Sequence, residues 1–167
     1  NFSYDHYQEI LRIASEQNYN ICGCYDYYQN RSNERDKILV MRHDVDRFPL
    51  RAYHMAKIEY IADVKTTYFF RVFSNEYNIF GYETMAIIRD IEAMGHEIGY
   101  HAEPFDVAAN LSFQIEPMAV FQMGKKALEL AIGHPIVGAA SHREATGYNN
   151  LTAFLEHYDP KDLGLLY

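Results

Sequence analysis

The sequence predicts an α/β domain built on a parallel sheet. Three observations carry this. Strand-type and helix-type patterns alternate from residue 38 onward, the order that gives parallel strands joined by right-handed helical crossovers. The strand candidates are mostly apolar, yet each ends in ionisable residues, and in parallel α/β folds the sites gather at those ends. The chain has 167 residues, close to one domain, and a domain of this size buries roughly 70% of its unfolded surface. It has no internal repeat, low-complexity tract or linker. The pattern alone leaves open a doubly wound sheet or part of a barrel.

The elements follow in order. Ser3 can cap a first helix with Tyr4, Tyr7, Leu11 and Ala14 at apolar positions. Residues 18–33 are polar, Tyr-rich and irregular. An apolar run over 38–41 then leads into Arg42-His43-Asp44-Val45-Asp46, which reads as a strand buried on both faces that stops at charged residues. Pro49 suits the first turn of a helix to about residue 62, with Ala52, Met55, Ile58 and Ile61 on one face. Residues 66–72 are rich in strand formers. A helix follows over 81–94, with Met85, Ile88, Ile91 and Met94 inward and Gly95 as its stop. A short strand is expected over 96–101, a helix over 113–132 ended by Gly133, a strand over 135–140, a short helix over 149–158, and the start of a further strand over 163–167.

Composition excludes several classes. Lys and Arg total 15 against 23 Asp and Glu, a net charge of −8, which argues against nucleic acid or an anionic membrane as partner. No apolar stretch approaches the length of a membrane span. Charged residues at 23% and apolar residues at 49% make an ordinary globular balance rather than a disordered one. The aromatic content is unusual, with 15 Tyr, 10 Phe and no Trp; tyrosines suit surfaces that are apolar and hydrogen-bonding together. The opening residues lack the basic and apolar regions of a signal peptide. Cys22 and Cys24 read as free thiols, which fits a reducing compartment and so a cytoplasmic location.

The strand ends assemble a metal-hydrolase inventory. The first strand ends in His43, Asp44 and Asp46, the second in Arg71, the third in His101 and Glu103, and the fourth in Ser141, His142, Arg143 and Glu144. Asp44 and Asp46 point the same way along a strand of period two. Two carboxylates so close repel unless a cation neutralises them. One would bind the ion while the other takes a proton from its water. The alternative for Asp46 is to cap the helix that starts near Pro49. His101 and His142, at successive strand ends, are better explained as one site than as two unrelated histidines. His96 lies five residues before His101, faces the other side of the strand and reads as structural. His43 and His54 read as non-ligands.

These residues bear a resemblance to a known family. A buried strand ending in Asp-x-Asp, a helix and then Thr-Thr-Tyr-Phe-Phe resembles the start of a polysaccharide deacetylase domain, the carbohydrate esterase group of chitin, peptidoglycan and nodulation-factor deacetylases. The Arg-His-Asp-Val-Asp opening matches a divergent branch. The segment Gly95-His96-Glu97-Ile98-Gly99-Tyr100-His101 looks like the second signature. Arg143 to Gly147 resembles the third, Arg-x-Pro-x-Gly, with Ala145 where Pro is usual. The resemblance spans residues 38–147.

It implies a metal-dependent hydrolase that removes an N-acetyl or related amide group from a carbohydrate, on a distorted, incomplete (β/α) barrel. Asp44 would be the general base and Arg143 the arginine that orients it. Asp46 and His101 would be ligands of a divalent ion, most simply zinc. One departure matters. The family's second metal histidine, four residues after the first, is Phe105 here. His142 is the candidate replacement, with Glu103 the other. Arg71 and Glu103 are expected to contact the substrate. Without a third ligand, the chain would be a catalytically inactive relative that binds glycan or metal only. The family's barrel has more strands than the five found here, and its later histidine, a general acid, has no counterpart before Tyr167. The expectation is therefore one partial α/β domain, truncated, with residues 1–35 an N-terminal helix and irregular segment and 36–167 the deacetylase-like core.

Overall fold

The computed structural model describes residues 3–30, 37–110, 114–142 and 156–167. In chain order these form α1 (Tyr4–Glu16), β1 (Asn20–Cys22), α2 (Cys24–Asn30), β2 (Ile38–Val40), β3 (Arg42–Val45), α3 (Pro49–Ile61), β4 (Thr67–Arg71), α4 (Tyr82–Ala93), β5 (Glu97–Ala102), α5 (Pro104–Asn110), α6 (Pro117–Ile132) and β6 (Ala139–Ser141). A 3-10 turn at Pro160–Leu163 follows. The main sheet runs β3–β4–β5–β6, all parallel, and a small sheet pairs β1 with β2, also parallel. The main sheet curls into a half-barrel, so the expected incomplete (β/α) barrel is what the chain forms.

Alternation along the strands divides the two faces of the sheet. Tyr68, Phe70, Ile98 and Tyr100 belong to the core cluster, with Ala52 and Ala56 of α3, Ile87, Ile88 and Ile91 of α4, and Phe121, Leu128 and Ile132 of α6. Phe69, Arg71, Gly99 and His101 occupy the alternate positions, on the concave side. Gly99 is required there, because a Cβ at this position would sit 2.4 Å from the Phe69 ring. Gly95 ends α4 with φ +91° and Gly133 ends α6 with φ +92°, the left-handed backbone that glycine adopts without strain.

Several sequence expectations change. The irregular region 18–33 contains β1 and α2. The strand expected from residue 38 changes partners at Met41, whose N–H donates to Cys22 O (2.9 Å) while its carbonyl accepts from Thr67 N (3.2 Å). Its first half therefore joins β1 and its second half joins β4. It is not buried on both faces, since Val40 is 40% exposed. On α3 the buried line is Pro49, Ala52, Ala56 and Glu59, while Ile61 stands 79% exposed. The inward face includes a carboxylate because the side chains of Tyr7, His43, Thr66 and Tyr68 donate to it. Residues 164–167 form no regular strand, although Leu166 N donates to Val137 O (2.8 Å) and Tyr167 O accepts from Ala139 N (3.1 Å), alongside β6. Most of the helix expected over 149–158 lies outside the described residues.

Candidate metal centre

In a flat sheet β3 and β6 would stand about 14 Å apart, three strand spacings of about 4.8 Å. Curling closes that gap at the C-terminal ends. Asp46 Oδ1 lies 3.4 Å from His101 Nε2 and 3.6 Å from His142 Nε2. The ligand atoms of this trio all lie within 4.8 Å of one another. Donors held 2.0–2.2 Å from a tetrahedral ion stand about 3.4 Å apart, so the two carboxylate–imidazole separations match the edge of such a site.

Each side chain is held by its element. His101 is in register between Arg71 of β4 and Ala140 of β6. Its Nδ1 lies 3.2 Å from Ala140 O, and a carbonyl can only accept. The proton therefore sits on Nδ1, and Nε2 turns a lone pair toward the carboxylates. Burial holds the His101 pKa below the ordinary imidazole value, against the opposing charge of Asp44. The neutral ring is the form that binds metal. His142 follows β6 directly, and its backbone N–H donates to Ala102 O (2.7 Å). Asp46 is not a helix cap: α3 is capped at Phe48 without a side-chain hydrogen bond. Its Oδ1 is buried and takes no hydrogen bond among the described residues. A buried carboxylate oxygen left without donors, facing two imidazole nitrogens, suits a cation.

Asp44 completes the group, with Oδ2 3.8 Å from His101 Nε2 and 3.0 Å from Arg42 Nη2. Arg42 was not anticipated from the sequence, although period two puts residues 42, 44 and 46 on one face of the strand. Two further residues shape the rim without any sequence signal. Ser74 Oγ donates to Asp46 O (2.9 Å), and the Tyr77 hydroxyl lies 2.7 Å from both Val45 O and Arg71 O. They tie the loop after β4 to the end of β3. Arg71 and Glu103 reach the same rim paired, Arg71 Nε donating to Glu103 Oε1. Phe105, on α5, packs against the core. Arg143, the expected base-orienting arginine, lies outside the described residues, as does the rest of that motif through Gly147.

His96 is structural, as expected. Its Nδ1 accepts from Thr66 N (3.2 Å) and its Nε2 lies 3.0 Å from Ala56 O. It joins α3 to the strand entrances, away from the metal trio.

No protein-family model matches the sequence, and no curated protein matches it. Among solved structures, the chain is similar to the Streptococcus pyogenes deacetylase PplD in complex with acetate, with a TM-score of 0.61 and 14% identity over 89% of this chain and 68% of that one. The fold is deacetylase-like. At 14% identity the likeness shows the fold alone. The residues of the site bring together two imidazole nitrogens and a carboxylate oxygen that could hold an ion, with a second carboxylate beside them. No helix among the described residues is long and apolar enough to cross a membrane.

Proposed function

We propose that this chain is a metal-dependent hydrolase that removes an N-acetyl or related amide-linked acyl group from a carbohydrate. The observation that carries the reading is the convergence of Asp46 Oδ1 with the Nε2 atoms of His101 and His142, with Asp44 within 3.8 Å of His101. The deacetylase-like fold supports it. Asp46, His101 and His142 would hold the ion, and His142 would supply the third ligand that Phe105 does not. Nitrogen and oxygen donors in a near-tetrahedral spacing favour zinc. The ion's contribution would be to acidify a water and to polarise the acyl oxygen.

The protein's own groups do the rest. Asp44 takes the proton from the attacking water and holds it at its carboxylate. Arg42 keeps that carboxylate aimed along the strand face and balances its charge. His101 keeps Nε2 unprotonated because Nδ1 carries the proton against Ala140 O. Arg143 follows His142 directly and is assigned to orient Asp44 as well. Arg71, on the rim between β3 and β5, is assigned to the substrate's polar groups.

Two measurements test this. Purified protein should hold one zinc ion per chain, and it should release acetate from N-acetylglucosamine oligomers. Bound zinc without acetate release from any acetylated glycan would leave a glycan- or metal-binding relative as the better account. Absence of bound metal after zinc loading would end the hydrolase reading.

A further inference from the structure

We propose that Glu103 is the positioning residue that holds His142 on the ion; this rests on the metal-centre reading above. His142 stands between two carboxylates. Its Nε2 faces Asp46 Oδ1 at 3.6 Å, and its Nδ1 faces Glu103 Oε2 at 3.3 Å. An imidazole that coordinates through Nε2 must carry its proton on Nδ1. That Nδ1 is buried and makes no hydrogen bond among the described residues. A metal-bound histidine ordinarily donates its other N–H to a carboxylate or carbonyl, which fixes tautomer and ring angle. Glu103 Oε2 is placed to accept it, a few tenths of an ångström beyond the usual charge-assisted distance. The separation is within hydrogen-bond reach, and the proposal requires the ring to turn its Nδ1–H toward Oε2 when the ion binds.

Glu103 is built for this role. It is 2% exposed, and its other oxygen takes the Arg71 Nε–H, so the carboxylate cannot turn away. The backbone bond from His142 N to Ala102 O fixes residue 142 beside residue 103. The arrangement parallels His101, whose Nδ1 is held by Ala140 O. Each ring then has one nitrogen anchored in the protein and the other presented to the ion. Glu103, read from sequence as a substrate contact or an alternative ligand, becomes the anchor of the ligand that replaces the histidine missing at position 105.

A competing geometry exists. Glu103, Asp106 and His142 also bring ligand atoms within 4.8 Å of one another. An ion held there would take His142 through Nδ1, and Glu103 would be a direct ligand. The two arrangements predict opposite tautomers. In the zinc-loaded wild-type protein, nitrogen NMR of labelled histidine should show His142 metallated at Nε2, with a slowly exchanging proton on Nδ1. Metallation at Nδ1 overturns the proposal, whatever the variants do. In parallel, Glu103→Gln should still bind one zinc, about 10- to 100-fold more weakly than wild type. Unchanged affinity overturns the proposal, and so does a complete loss equal to that of Asp46→Ala. A wild-type protein that binds no zinc would fail the metal reading itself, and that result is separate from either variant outcome.

Discussion

Replacing Glu59 with Gln should destabilise the protein severely, because this carboxylate is fully buried (0% exposed) and both its oxygens face donors. Oε1 accepts from the Tyr7 hydroxyl and from His43 Nε2, the latter at 2.6 Å. Oε2 accepts from Thr66 Oγ1 at 2.9 Å and from the Tyr68 hydroxyl at 2.5 Å. A Gln side chain keeps the shape but sets an NH2 group where two of those donors point, whichever way it is turned. Breaking a buried charged arrangement on one side costs about 3–5 kcal/mol. For a chain of this size that lowers Tm by about 6–20 °C. Urea unfolding followed by circular dichroism measures it, with an unchanged slope showing that the two proteins unfold alike. Tyr7→Phe removes a single donor to the same carboxylate and should cost about 1.5–3 kcal/mol. The pH dependence gives a second reading. Burial pushes the Glu59 pKa up, but the His43 hydrogen bond and charge, then Tyr68 and Tyr7, hold it below the usual carboxylate value. A folded-state value below the unfolded one means that the contribution is complete above the ordinary Glu range. It is lost as pH falls through that range toward the lowered value. The wild-type and Glu59→Gln stabilities should therefore converge in acid. A Glu59→Gln loss below about 1 kcal/mol at neutral pH, or a gap that stays constant into acid, would refute the account.

Three other outcomes follow from the site and the sheet. His142→Ala should abolish stoichiometric zinc measured by elemental mass spectrometry, and retained zinc would remove His142 from the ligand set. Asp44→Asn should keep the zinc but slow acetate release by about 10²–10⁴-fold, the range of a lost general base; a rate within tenfold of wild type would reassign the base. Gly99→Ala should cost about 1–3 kcal/mol by overpacking, since the new methyl meets the Phe69 ring at 2.4 Å. An unchanged denaturation midpoint would show that the concave side of the sheet has room for the added methyl.

The strand ends were legible because each parallel strand is a short apolar run that stops at a charge, and Asp44, Asp46, His101 and His142 all occupy such stops. Alternation of strand and helix then fixes which ends share a rim. What escaped the sequence depended on partners far along the chain. β1 is three residues long and exists because β2 pairs with it, so no local period marks it. Glu59 sits among apolar neighbours at helical spacing, where a carboxylate reads as solvent-facing. Its donors come from residues 7, 43, 66 and 68, which only the fold brings together. Arg42 is a different case, since it lies two residues before Asp44 on the same strand face and strand period alone brings it beside that carboxylate.

On the proposed reading, His142 takes the ligand role that Phe105 cannot, so the centre keeps three donors with one of them supplied from another strand end. Residue 105 lies in the first turn of α5, where its ring packs on the core. Residue 142 lies at the end of β6, the strand that pairs with β5 beside His101. Because the sheet is curled, the end of β6 is as near to Asp46 as the end of β5 is, with 3.6 Å against 3.4 Å from the carboxylate oxygen to the two Nε2 atoms. A ligand supplied from a strand end is also held by the ladder itself, through the bond from His142 N to Ala102 O. On this argument the curl of the sheet sets how many strand ends can contribute a ligand, and local sequence sets which of them does. A histidine introduced by Phe105→His would then displace core packing without improving the site. Zinc affinity in that variant should stay within a few fold of wild type, and a large gain would show that a histidine four residues after His101, rather than the curl, governs the centre.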